Sequence, residues 1–122
     1  MGEIFLAVLK RSGAFEKELV IKRILPSLSQ DPDFVAMFNR EARIAALLNH
    51  QNIVQVYDFG KEGEEYFIAM EHVDGADLRT LLTQAGQPPI PVILAVLSGV
   101  ARALDYAHRL RDRKGTSLGL VH

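Results

Sequence analysis

The chain has 122 residues, 48% apolar and 24% charged, with 14 Lys and Arg against 15 Asp and Glu, a balance that describes one ordinary folded unit and excludes disorder and collagen. A net charge of −1 offers no basic face for nucleic acid. The longest uninterrupted apolar runs, such as 91–97, fall far below the roughly 20 residues of a bilayer span, and no basic-then-apolar leader opens the chain, so no membrane contact is expected of this segment.

In chain order, apolar runs at 4–9 and 19–25, separated by the turn chemistry of Lys10-Arg11-Ser12-Gly13, predict a hairpin. Asp31-Pro32-Asp33 supplies an acidic cap and an early proline, which predicts a helix running to about Leu48 and ended by Asn49-His50-Gln51-Asn52. Two strands follow at 53–59 and 66–70, joined by a turn over 60–63. After Asp74-Gly75 the pattern predicts a short helix from Asp77 to about Gln84, a break at Pro88-Pro89, and a long helix from Pro91 whose stripe is Ile93, Leu97, Val100, Leu104 and Ala107. Residues 109–119, with Arg109, Arg111, Arg113 and Lys114, read as a solvated loop. Two hairpins with one crossing helix and an appended helical piece predict an α+β architecture.

No cysteine is present, which removes disulfides, thiolate zinc and a cysteine nucleophile and fits a reducing compartment. His50, His72, His108 and His122 are too widely spaced for a sequence-readable metal site, so no metal ligand is expected.

Two charges stand where apolar residues belong. Steps of four, three, four and three from Phe34 reach Phe38, Glu41, Ala45 and Leu48, which places a carboxylate on the apolar stripe of the first helix. Lys22 interrupts the stretch from Leu19 to Leu25 in the same way. An unpaired buried charge costs several kcal/mol, so the pattern predicts that Lys22 and Glu41 meet between sheet and helix, within ion-pair reach or facing each other with the helix displaced outward.

With those two positions in view, the chain resembles the bacterial serine/threonine protein kinases of eukaryotic type. Leu19-Val20-Ile21-Lys22 is similar to the family's Val-Ala-Ile-Lys strand, and Phe38-Asn39-Arg40-Glu41-Ala42 with Leu47-Leu48-Asn49-His50-Gln51-Asn52-Ile53-Val54 to its helix and the His-Pro-Asn-Ile-Val that follows. Tyr66-Phe67-Ile68-Ala69-Met70-Glu71-His72-Val73-Asp74-Gly75 resembles the strand that enters the hinge. Tyr106-Ala107-His108 resembles the end of the long helix, and Leu120-Val121-His122 the approach to His-Arg-Asp. The resemblance implies a protein-kinase-like fold with residues 1–70 as the small lobe, 71–75 as the hinge and 76–122 as the start of the large lobe.

The family works with ATP and Mg2+ on protein substrates, and the resemblance implies roles residue by residue. Lys22 is expected to hold the α- and β-phosphates, kept in place by Glu41. Gly2 matches the last glycine of the phosphate loop. Ile4 and Val20 are expected to contact the base, with Met70 behind it as gatekeeper. The Glu71 carbonyl and the Val73 amide are expected at the adenine edge, and Asp77 at the ribose. Val20 replaces the commoner Ala and narrows the slot. The catalytic Asp and the Mg2+ ligands match nothing up to His122, so these 122 residues alone are expected to be inactive and to leave apolar helix exposed. Asp58-Phe59-Gly60 spells the family's metal-binding triplet, yet precedes the hinge and is expected to be a strand end instead. The expected setting is the cytoplasm, compatible with a membrane anchor elsewhere in a longer protein. The competing readings are a pseudokinase or nucleotide-responsive interaction module, and a small structural α+β domain.

Overall fold

The computed structural model describes residues 2–11, 13–110 and 115. It divides into two compact units, Met1–Asn49 with Val54–His72, and His50–Ile53 with Val73–His122.

The first unit is a four-stranded antiparallel sheet with helices. Strand β1 (Gly2–Arg11) pairs along its whole length with β2 (Phe15–Ile24), from Gly2 opposite Ile24 to Arg11 opposite Phe15. The reversal passes through Gly13 at φ 94°, a left-handed conformation that suits a residue without Cβ. A single turn, α1 (Pro26–Ser29), precedes α2 (Pro32–Leu47) and is absent from the sequence pattern because four residues carry no period. Asp31 caps α2, its Oδ1 accepting from the amides of Asp33 at 3.0 Å and Phe34 at 3.3 Å, with Pro32 in the first turn, as the sequence predicts.

Strands β3 (Val56–Glu62) and β4 (Glu65–Glu71) complete the sheet, whose order is β1-β2-β4-β3. Their turn is Gly63-Glu64, with Gly63 at φ 59° and Glu62 opposite Glu65, so the reversal falls later than the expected 60–63. Asp58-Phe59-Gly60 therefore lies inside β3, beside a register irregularity between Val56 and Asp58, and not at a strand end. On the inner side of α2, Phe38 and Ala42 are buried, and the Phe38 ring meets that of Tyr66 edge-on at 5.8 Å.

Strand β3 starts at Val56 and not at Ile53 because 50–53 fold with the second unit. The Ile53 amide donates to the His50 carbonyl at 2.9 Å and the Asn52 amide to His50 Nδ1 at 3.1 Å. Asn52 Nδ2 donates to the Gly99 carbonyl at 3.1 Å, and the His50 ring lies 5.3 Å from that of Tyr106. A Cβ at Gly99 would stand 3.4 Å from Asn52 Nδ2, an ordinary van der Waals contact.

In the second unit, α3 (Leu78–Ala85) is capped by Asp77 and ends at Gly86, φ 74°; α4 (Ile90–Arg109) follows the proline break. The two helices line an apolar cavity of about 570 Å³ formed by residues that include Leu78, Leu81, Leu82, Val92, Ile93 and Val96. Of the predicted α4 stripe, Ile93, Leu104 and Ala107 are half-buried, while Leu97 and Val100 are exposed; Ala103 is the buried residue. By length and composition α4 is long and apolar enough to cross a membrane, a property that the short uninterrupted runs of the sequence conceal. Arg109 pairs with Asp105 at 2.8 Å, whereas Arg111, Arg113, Lys114 and the segment from Leu120 to His122 lie outside the described residues, as does Met1.

Candidate functional site: one face of the sheet

Side chains alternate along a strand, and directly paired residues of neighbouring strands share a face. Val20 and Lys22 thus lie on one face of β2. Lys22 stands opposite Ile4 on β1 and Ile68 on β4, and Val20 opposite Leu6 on β1 and Met70 on β4. The register thereby gathers Ile4, Val20, Lys22 and Met70 on one face, together with Gly2, which pairs with Ile24. The residues paired directly with Lys22 and Val20, namely Ile4, Leu6, Ile68 and Met70, are all apolar. Tyr66 shares it by the same alternation, so α2, resting on Tyr66 through Phe38, covers this face and not its opposite.

Glu41 departs from expectation. No ion pair joins it to Lys22; Lys22 is half-buried and Glu41 is exposed. At about 100° per residue, the buried edge formed by Phe38 and Ala42 centres about 80° around the helix from Glu41. The sequence stripe placed the centre of the buried face on the wrong side of Phe38, and a solvated carboxylate on the flank needs no partner.

Glu71 closes β4, held twice against Gln55: its amide donates to the Gln55 carbonyl at 2.8 Å, and its carboxylate accepts from the Gln55 amide at 3.1 Å. The next residue, His72, has Nδ1 3.2 Å from the Glu18 carboxylate. Val73 opens the second unit and is exposed. Asp77, also in that unit, spends its carboxylate on the α3 cap: Oδ1 accepts from the Thr80 amide at 2.8 Å, and the Thr80 hydroxyl donates to Oδ2 at 3.2 Å. The Thr80 amide bond is the main reason that this carboxyl is held below its ordinary range. Asp58 is likewise occupied locally, its Oδ1 accepting from the Phe59 amide at 2.8 Å.

Sequence reasoning passed over Arg23. Its guanidinium donates to the carboxylates of both Glu3 on β1 and Glu65 on β4, the latter at 2.9 Å, on the face opposite to Lys22. The signal was present as a charged residue following Lys22 in a strand, but its partners depend on register and were not readable. Among the described residues, no group of three or more His, Asp or Glu side chains is placed to hold a metal ion.

The protein kinase domain family model matches residues 1–112. The chain belongs to this family. Over its whole length it is 47% identical to the tyrosine-protein kinase MasK of Myxococcus xanthus (strain DK1622) and 34% identical to the serine/threonine-protein kinase PknA of Mycobacterium tuberculosis (strain ATCC 25618 / H37Rv). It spans 20% of the first and 27% of the second. The crystal structure of the M. tuberculosis PknI kinase domain superposes with a TM-score of 0.72 at 34% identity, covering 89% of this chain and 44% of that one. The fold is that of the N-terminal part of a protein-kinase domain, and the resemblance to bacterial serine/threonine kinases is borne out. This kinase segment spans less than half of the matched kinase domain, and the family as a whole works with ATP and Mg2+.

Proposed function

We propose that this segment supplies the ATP-holding face of a serine/threonine protein kinase, which in its complete form transfers the γ-phosphate of ATP to Ser or Thr of protein substrates. The observation that carries the reading is the register of β1, β2 and β4, which puts Ile4, Val20 and Met70 on one face with the ammonium of Lys22. A flat aromatic base and a polyanionic tail call for that combination: apolar contact for the base, and a fixed cation where charge accumulates on the phosphates.

In this reading Lys22 steadies the α- and β-phosphates. Gly2 brings main chain near them. The Glu71 carbonyl and Val73 amide bind the adenine edge, and Asp77 reaches the ribose through the lone pairs that the Thr80 cap leaves free. Glu41 contributes to the site only if α2 turns its flank toward Lys22. Mg2+ supplies charge neutralisation in the family; among the described residues no group of three or more His, Asp or Glu side chains is placed to hold it.

The test is incubation of the full-length protein with γ-labelled ATP and a mixed protein substrate, followed by phosphoamino-acid analysis, with the 122-residue segment assayed beside it. Label on Ser and Thr from the full-length protein, with none from the segment, is the expected result. Label confined to Tyr, the residue class named for the MasK relative, would overturn the Ser/Thr assignment, and no transfer by the full-length protein would favour a pseudokinase.

A further inference from the structure

Gly2 and Ile4, two of the residues assigned to the nucleotide, sit on β1, an edge strand whose lateral partner is β2. Backbone bonds hold β1 to β2 along one side only, so side-chain contacts that reach past β2 add to what fixes its place in the sheet. Between Gly2 and Ile4 lies Glu3, directly opposite Arg23. Arg23 donates one guanidinium nitrogen to Glu3 and another to Glu65 on β4 at 2.9 Å, and its guanidinium carbon stands 5.2 Å from the centre of the Phe5 ring. A single side chain thus ties three strands together on the outer face, directly behind the Ile4–Lys22 pair of the inner face. The main chain repeats the contact: a Cβ at Gly2 would collide with the Arg23 carbonyl oxygen, so β1 approaches β2 more closely there than any other residue type permits.

We propose that Arg23 is a positioning residue for nucleotide binding, which fixes the strand carrying Gly2 and Ile4 relative to Lys22 through Glu3 and uses Glu65 as its anchor in the sheet; this rests on the ATP reading above. The Glu3 carboxylate is also the chief cause that raises the Arg23 guanidinium above its ordinary value, with Glu65 adding to it, so the cation is shared between two carboxylates. A lysine keeps the charge but lacks the planar fork that bridges two carboxylates at once.

The experiment measures KM for ATP and kcat separately in the full-length protein for Arg23→Met, Arg23→Lys, Glu3→Gln, Glu65→Gln and the Glu3→Gln/Arg23→Met double variant, each with a thermal melt. Arg23→Met and Glu3→Gln are each expected to raise KM for ATP about three- to ten-fold with kcat within about two-fold, and the double variant to be no worse than the larger single change. Arg23→Lys should recover part of the loss, and Glu65→Gln should cost less than Glu3→Gln. An unchanged KM in Arg23→Met, multiplicative effects in the double variant, or losses that merely follow the melting temperature would overturn the proposal. Should Arg23→Met fail to fold, Glu3→Gln carries the test, since Glu3 is exposed. Lys22→Met, run in parallel, separates the two readings: its retention of activity defeats the ATP site itself, whereas its loss beside an unchanged Arg23→Met defeats only the positioning role.

Discussion

Both units of this chain leave apolar side chains exposed, Ile4 at 70% and Leu6 at 62% on β1 among them, but they differ in what they bury. The sheet unit buries Leu19, Ile24, Phe38, Ala42 and Ala69, because antiparallel pairing and α2 bring each a neighbour from its own unit. The helical unit buries Ala103 alone among the described residues, while Ile90, Leu94, Leu97 and Val100 of α4 remain 49–72% exposed. Both have the right period for their element. Periodicity therefore states which face is apolar and not whether anything covers it.

This contrast can be broken first in the sheet. Phe38→Ala removes a ring that is 6% exposed and seated against Tyr66, and is expected to cost about 3–5 kcal/mol, measured by chemical denaturation of the 122-residue chain. Gly2→Ala is expected to cost about 1–3 kcal/mol in the same measurement, because β1 must retreat from the Arg23 carbonyl.

The helical unit should respond less. Asp77→Ala removes the α3 cap and is expected to lower stability by less than either sheet substitution, in the same denaturation measurement. Because the folded carboxyl titrates below its ordinary value of 3.8, its contribution is fully present above that value and is lost as pH falls through the lower, folded one. The difference between wild type and Asp77→Ala should therefore shrink on acidification below about pH 4. Leu97→Ala, at a side chain 59% exposed, is expected to stay within about 0.5 kcal/mol of wild type. A cost near that of Phe38→Ala would show that the α4 stripe is covered after all.

Much of the fold was legible because its signals are local. Asp31-Pro32 announced α2, and the apolar runs announced the strands to within a few residues. The misplaced start of β3 has a nonlocal cause: Asn52 bonds to Gly99, 47 residues away, and draws 50–53 out of the strand. The candidate site was legible as residue types in order, since Lys22 stood out as a charge in an apolar strand. Its assembly was not, because only the register sets Ile4 beside Lys22 and Val20 beside Met70. Glu41 was misjudged for a related reason. A helical stripe read from sequence has a period but an uncertain phase, and a shift of less than one residue moves a side chain from the buried edge to the solvated flank.

On the proposed function, the Lys22 face of the sheet holds the phosphates of ATP during transfer. The direct measurement is γ-phosphate transfer by the full-length protein with Lys22 intact and with Lys22→Met, both checked for an unchanged melting profile. Loss of a preorganised charge at the phosphates predicts a fall in kcat/KM of at least about 100-fold. A Lys22→Met protein that folds as wild type and transfers phosphate within about two-fold of it would rule out this role for Lys22.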